Sequence, residues 1–167
     1  MLRCICFDWG GTLMSEDGPQ DRAMALWPQV EAMPGAHATL AALAARWPLH
    51  IATNASVSTR PLIALALARA GLLQHFQHIF CFTEIGARKD QPVFWQAVQA
   101  TTGVPLHETA MVGDSLEQDV LGPARLGVRT VWFNADGARP TPPLPVAEVH
   151  GLAALAPYFL ALSSSSR

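Results

Sequence analysis

The feature that most constrains this chain is a rhythm. Short, unbroken apolar runs alternate with segments whose apolar residues fall at helical spacing. The runs cover residues 2–7, 49–53, 79–82, 110–112 and 128–133, and several end on glycine or a polar residue. A strand exposed on one face alternates apolar and polar side chains; a continuous run belongs to a strand covered on both faces. Leu40, Leu43, Ala44 and Trp47 mark one intervening helix, and Ile63, Ala66, Leu67 and Ala70 another, with Gly71 as its cap. Pro92 opens a third helix carrying Val93, Phe94, Ala97 and Val98, and a fourth is predicted over 116–126 before Gly127. Residues 146–150 give a sixth, short strand and 152–162 a closing helix. The expected class is α/β: a three-layer, Rossmann-like parallel sheet of five to six strands with helices on both faces. Right-handed crossovers then bring every strand's carboxyl end to one edge.

The 167 residues suit one domain, expected over 1–162, with a frayed serine-rich tail at 163–167 and a proline-rich loop at 139–145. Half the residues are apolar and 14% are charged, which excludes extensive disorder. A net charge of −2 and a single lysine, Lys89, give no nucleic-acid footprint. No apolar run is long enough to span a bilayer, and the first strand begins at the initiator methionine, leaving no room for a cleaved signal peptide. Cys4, Cys6 and Cys81 are too few for a disulfide framework and read as small buried residues in a reducing compartment. Metal binding through Cys4-Ile5-Cys6 lacks a second ligand pair at zinc-like spacing. The expected location is the cytoplasm.

Four polar residues stand at or just beyond strand ends. Asp8 follows the first strand, Thr53 ends the second, Lys89 lies in the loop after the third, and Asp114 follows the fourth. Open parallel sheets bind ligands at this edge. Two carboxylates repel unless something positive lies between them, and a hard divalent cation such as Mg2+ suits a site of few carboxylates. Glycine-rich loop N–H groups and helix N-termini offer donors to phosphate oxygens. Each residue also has an ordinary reading: Asp8 as a turn former, Thr53-Asn54 as a helix cap, Gly113-Asp114 as a turn. Asp119 either orients Lys89 or a metal-bound water, or is simply an acidic residue in a helix's first turn. Trp9 faces the site by position, for substrate contact or for packing. The six histidines match no motif and are expected at the surface or in packing.

Taken together, these stretches resemble the haloacid dehalogenase (HAD) superfamily, most of whose members are phosphohydrolases. Asp8-Trp9-Gly10-Gly11-Thr12 is similar to its first motif, Asp-x-Asp-x-Thr. The strand ending in Thr53-Asn54 resembles the second, Lys89 before the Pro92 helix the third, and Gly113-Asp114 with Asp119 the fourth. The resemblance implies a HAD-like core with Asp8 as nucleophile, forming an aspartyl-phosphate that water hydrolyses. It implies catalytic support from Thr53 and Lys89, and Mg2+ held by Asp8, Asp114 and the Gly10 carbonyl. Phosphate would be bound by Trp9, Gly10, Gly11, Thr53, Asn54 and Lys89.

Two departures stand out. In most family phosphatases the residue at position 10 is a second Asp, which protonates the leaving alcohol and then activates water; Gly10 can do neither. Such help is worth about 10²–10⁴ in rate, so good leaving groups, acyl or aryl phosphates, are expected to be favoured. Glu16 is near enough in sequence to substitute, although Glu16 and Asp17 read more simply as solvated loop residues. The second departure is the cap: residues 14–34 leave room for one short helix over 21–32, not a domain. In the family an open site goes with macromolecular substrates or a neighbouring subunit as lid, so the resemblance implies a phosphorylated substrate, small molecule or macromolecule, and a homo-oligomer that covers the site. The other readings are a HAD-fold binding or regulatory protein with little turnover, and a hydrolytic dehalogenase. A phosphonoacetaldehyde hydrolase would need a Schiff-base lysine ahead of Lys89, and the sequence has none there. Pro123 is expected to kink the helix after the fourth motif and to disturb Asp119.

Overall fold

The computed structural model describes residues 1–135, 137 and 141–164. Six strands, β1 (Cys4–Phe7), β2 (Leu49–Thr53), β3 (Phe76–Cys81), β4 (Thr109–Gly113), β5 (Arg129–Phe133) and β6 (Ala147–Val149), form one parallel sheet in the order β3-β2-β1-β4-β5-β6. The helices are α1 (Ala36–Ala44), α2 (Arg60–Arg69), the single turn α3 (Phe82–Ile85), α4 (Pro92–Thr102), α5 (Gly122–Arg125) and α6 (Leu155–Ser164). The three central strands β1, β2 and β4 are buried along their whole length, as their continuous apolar composition requires.

Alternate side chains of each strand enter different cores. Ile5, Phe7, Ile51, Val112 and Val131 pack with Leu40 and Leu43 of α1, Ile63 and Leu67 of α2, and Phe159 of α6. Cys6, Ala52, Phe80 and Met111 pack with Phe94, Trp95 and Val98 of α4. The three cysteines are buried free thiols. His50 is also buried, its ring against His78 and Phe80.

The chain order runs outward from β1 through β2 to β3, then returns to β4 on the other side of β1. Between β1 and β4 lies the switch point at which such sheets open a crevice. Phe7 is level with Val112, so the residues after both strands emerge side by side.

Several boundaries differ from expectation. Strand β3 starts three residues early because Gln77 and His78 lie exposed on the sheet's edge, where polar residues interrupt the apolar run without ending the strand. Phe82 turns instead into α3. The helix expected over 21–32 is only a 3₁₀ turn at Met24–Leu26, Pro28 being incompatible with a continuing helix. The segment is held by other means: Met14 bridges to Ala32, and the Arg69 guanidinium donates to the carbonyls of Ala25, Trp27 and Pro28 at 2.8, 2.7 and 3.0 Å. Met24, Ala25 and Trp27 are thereby buried against the body.

Pro123 has the predicted local effect but not the predicted consequence. Leu116–Leu121 is wound as a π-helix, with the Gly122 N–H reaching the Glu117 carbonyl five residues back, and α5 starts at Gly122. Proline lacks an N–H and crowds the carbonyl four residues before it, here that of Asp119; a wider turn accommodates both. Asp119 is buried, with one oxygen beside the Lys89 ammonium and the other accepting the Ser115 N–H. Of the expected proline-rich loop, residues 139 and 140 lie outside the described residues, as do 165–167 of the expected tail, while residue 163 belongs to α6.

Candidate active site

At the carboxyl ends of β1, β2 and β4 an open cleft of about 360 Å³ is lined by Asp8, Trp9, Gly10, Glu16, Thr53, Asn54, Arg88, Lys89, Asp114, Ser115, Gln118 and Asp119. A larger groove of about 600 Å³ lies against β3, with Arg60, Phe76, His78 and Phe80 among its walls, but its acidic residue Glu84 is paired with Arg60 and no catalytic grouping faces it.

The Asp8 N–H donates to the Val112 carbonyl at 2.9 Å, the last rung tying β1 to β4 before the chains separate. The chain then reverses. The Trp9 carbonyl accepts from Leu13 and Met14 at 2.8 and 2.7 Å, and the Gly11 N–H donates to the Met14 carbonyl at 2.9 Å. Gly11 takes φ 72°, open to glycine at little cost, and a Cβ there would stand 2.9 Å from Asp114 Oδ2. The Gly11 N–H is used within the turn, and what the geometry gives Gly11 is a conformational contribution. Trp9 lines the cleft but is 5% exposed, its ring forming part of the larger core.

Lys89 is the centre of the constellation. Its ammonium, buried to 2% exposure, lies 2.8 Å from Asp8 Oδ1 and 2.5 Å from Asp119 Oδ1. The loop around it is braced by two backbone contacts. The Lys89 N–H donates to Asn54 Oδ1 at 2.9 Å, and its carbonyl accepts from Trp95 Nε1 at 2.6 Å. Asn54 in turn donates to Gln118 Oε1 at 2.8 Å, tying the β2 end to the π-helical segment. Of the two readings of Asp119, the structure shows the orienting contact to Lys89. Its other oxygen accepts the Ser115 N–H at 2.9 Å, and a Cβ on Gly113 would stand 2.2 Å from that oxygen.

Asp114 accepts from the Thr12 hydroxyl at 3.3 Å, and its carbonyl accepts from Trp132 Nε1 at 3.0 Å. Thr53, 2% exposed, closes β2 with its hydroxyl accepting the Ala55 N–H at 3.0 Å. Asp8, Asp114 and Asp119 each present a carboxylate oxygen within 4.8 Å of the others.

Two carboxylates against one ammonium, with the Asp114 carboxylate within 4.8 Å of both, leave excess negative charge in a confined space. Burial pushes the Asp8 carboxyl up to about 8; Lys89 pulls against this, while Asp119 and Asp114 add to the rise. Burial disfavours the Lys89 charge, but Asp119 and Asp8 outweigh it and hold the ammonium above its ordinary value. The donors are all oxygens and the excess charge is negative, which is the chemistry of a hard divalent cation.

Residues 16–127 match the family of haloacid dehalogenase-like hydrolases. The chain belongs to that family. It is 31% identical over 108 residues to pyrimidine 5'-nucleotidase PynA of Streptococcus pneumoniae, covering 64% of this chain and 44% of that protein. It is 39% identical over 77 residues to phosphoserine phosphatase of Thermus thermophilus, covering 46% and 30%. The chain therefore spans less than half the length of these curated relatives. The fold is shared over nearly the whole of both chains with an uncharacterized protein from Listeria monocytogenes, at a TM-score of 0.86, 22% identity, and 98% and 99% coverage. The family match begins at Glu16, so the Asp8 loop rests on its own geometry.

Sequence reasoning brought Asp8, Thr53, Asn54, Lys89, Asp114 and Asp119 to one place. It missed the braces. Ser115 caps the π-helical segment by accepting the Gln118 N–H, a Ser-x-x-Gln pattern legible in the sequence. The indoles of Trp95 and Trp132 carry no such signal, because each bonds to a backbone carbonyl far away in sequence. No helix among the described residues is long and apolar enough to cross a membrane.

Proposed function

We propose that this chain is a Mg2+-dependent phosphohydrolase that works through an aspartyl-phosphate on Asp8. The observation that carries the reading is the Lys89 ammonium, buried between Asp8 and Asp119 on the cleft floor with Asp114 beside them. A purely structural ion pair needs neither the third carboxylate nor an open cleft above it.

Asp8, Asp114 and the Gly10 carbonyl would hold the cation. When bound, Mg2+ supplies positive charge that favours the Asp8 carboxylate and offsets that of a phosphate. The chain's own groups do the rest. Asp8 attacks phosphorus, with Lys89 fixing the carboxylate by its 2.8 Å contact and neutralising the transferred group. The Thr53 hydroxyl, Asn54 and the backbone N–H groups of Trp9 and Gly10, residues that line the cleft, would bind phosphate oxygens. Asp119 keeps Lys89 charged and in place. Position 10 contributes no side chain, so acyl and aryl phosphates, which leave without a proton, make the least demand on the site.

The relatives' names, a nucleotidase and a phosphatase, support release of phosphate from an ester. The open cleft admits a phosphorylated small molecule or the phosphorylated tip of a macromolecule, and a second copy of the chain covering it would supply the lid the short insertion does not. The reading places the protein in the cytoplasm.

The test is Mg2+-dependent phosphate release from acetyl phosphate and p-nitrophenyl phosphate by wild type and Asp8→Asn. The expected result is turnover by the wild type that Asp8→Asn abolishes. Turnover that is absent, or equal in the two proteins, overturns the reading and leaves a phosphate-binding or regulatory role.

A further inference from the structure

Gly10 lines the cleft two residues beyond Asp8, and the space beside it is not empty. A Cβ built on Gly10 would stand 2.5 Å from Glu16 Oε1, 3.2 Å from its Cδ and 3.4 Å from its Cγ. The carboxyl group of Glu16 thus fills the volume that a side chain at position 10 would enter. Five residues separate the two in sequence. The reversal at Gly11 brings them together, with Gly10 bridged to Met14 and the Ser15 N–H donating to the Glu31 carbonyl at 2.9 Å.

The loop that carries Glu16 is built rather than loose. The Glu16 carbonyl accepts from Gln20 Nε2 and from the Gly18 N–H, both at 2.9 Å. Gly18 packs against the Trp27 ring, where a Cβ would come within 2.3 Å of the indole, and Trp27 Nε1 donates to the Arg22 carbonyl at 3.2 Å. The backbone of Glu16 is therefore held at the cleft's rim, and its side chain lines the cleft.

Phosphoryl transfer places the attacking and leaving oxygens roughly in line. Asp8 is on the buried floor, so the leaving oxygen faces the open mouth, where Glu16 stands. From this geometry we infer that Glu16 is a catalytic residue, the proton donor and acceptor for alkyl phosphate monoesters. The inference rests on the phosphohydrolase reading above and extends its substrates to esters with poor leaving groups.

In the first step an Asp8 oxygen forms a bond to phosphorus as the bond from phosphorus to the ester oxygen breaks. That bond's electron pair stays on the ester oxygen, which takes the proton of the Glu16 carboxylic acid and departs as the alcohol. In the second, Glu16, now a carboxylate, takes a proton from water while the water oxygen bonds to phosphorus. The bond from phosphorus to Asp8 breaks, its electron pair returns to the Asp8 carboxylate, and hydrogen phosphate leaves. Ester and water go in, alcohol and phosphate come out, and Glu16 ends protonated as it began.

The test compares p-nitrophenyl phosphate with glycerol phosphate for wild type, Asp8→Asn, Glu16→Gln, Glu16→Ala and the double variant Gly10→Asp/Glu16→Ala, with thermal unfolding confirming that each folds. Glu16→Gln is expected to lower kcat on glycerol phosphate by about 10²–10⁴ and on the aryl ester by no more than about tenfold, steepening the dependence of rate on leaving-group acidity. Gly10→Asp/Glu16→Ala, with its carboxyl restored from the other side of the same space, is expected to recover at least about tenfold over Glu16→Ala on glycerol phosphate. Equal losses on both substrates, no loss on either, or a wild type that turns over the aryl ester through Asp8 but not glycerol phosphate overturns the role of Glu16 and leaves the phosphohydrolase reading standing. No Asp8-dependent turnover of any ester overturns both.

Discussion

Lys89 Nζ lies 2.8 Å from Asp8 Oδ1 and 2.5 Å from Asp119 Oδ1, and all three side chains are nearly excluded from solvent. Removing one partner of a buried ion pair typically costs about 3–5 kcal/mol, because an uncompensated charge is left behind. Lys89→Met is therefore expected to lower the unfolding free energy by an amount of that order and to abolish turnover. Asp119→Asn leaves Lys89 with Asp8 and should cost less stability while still lowering kcat. Urea unfolding of the two variants beside wild type gives the ranking; a Lys89→Met protein as stable as wild type would contradict the charge arrangement.

Asp8 gives a prediction of opposite sign. Its carboxyl is pushed from 3.8 to about 8, chiefly by burial, with Lys89 opposing and Asp119 adding. An acid whose pKa rises on folding holds its proton more tightly in the folded state. Its contribution to stability is complete below the unfolded value and is lost as pH climbs through about 8. In chelator, the wild type should lose stability between pH 4 and pH 9. Asp8→Asn, which has no such proton to lose, should be more stable than wild type at pH 8.5 by about 1–3 kcal/mol and close to it near pH 4. Mg2+ should narrow the gap by stabilising the wild type more than the variant. Thermal unfolding across that range, with and without Mg2+, tests all three expectations.

The turn at Gly11 is a further point of sensitivity. Alanine there would meet the left-handed backbone at φ 72° and would bring a Cβ within 2.9 Å of Asp114 Oδ2. The backbone conflict costs about 1–2 kcal/mol, and the contact moves a proposed metal ligand. Gly11→Ala is expected to weaken Mg2+ binding by about tenfold or more, which corresponds to about 1.4 kcal/mol. Isothermal titration with Mg2+ alone reads this without an assay of turnover.

Much of this arrangement was legible in the sequence because it is local to strand ends. A continuous apolar run stopping at Asp8, Thr53 or Gly113-Asp114 marks both a buried parallel strand and the edge at which it delivers a polar group. The Lys89 loop before Pro92 followed from the same logic. What was not legible depends on contacts between distant segments. Gln77 and His78 broke the apolar pattern of β3 because an edge strand is not covered on both sides. The π-helical turn before Pro123 could not be separated from an ordinary kink, so Asp119 was expected to be disturbed when it is among the most tightly held carboxylates. Glu16 read as a solvated loop residue because sequence distance says nothing about where a reversed chain returns. The packing of Gly10 against its carboxyl exists only once Gly11 has turned the chain.

The segment over residues 14–34 is held in part by one side chain from outside it. Arg69, at the end of α2, makes three hydrogen bonds to the carbonyls of Ala25, Trp27 and Pro28. A short irregular segment has few backbone partners of its own, and charged donors to carbonyls are worth about 1.5–3 kcal/mol each where solvent is excluded and less where, as for the contact to Pro28, they are exposed. Trp27 also supports Gly18 and, through it, the loop of Glu16. Arg69→Ala should therefore act at two distances. Near the insertion, protease cleavage within residues 15–30 should become about tenfold faster or more, because local opening loses at least 1.4 kcal/mol of protection. At the cleft, turnover of glycerol phosphate should fall more than turnover of p-nitrophenyl phosphate, because the rim that carries Glu16 loosens while the floor of Asp8, Lys89 and Asp114 does not. Arg69→Lys, which keeps the charge but not the planar fork, should fall between wild type and Arg69→Ala in both measurements. Faster cleavage with unchanged substrate preference would separate the insertion's stability from the position of Glu16.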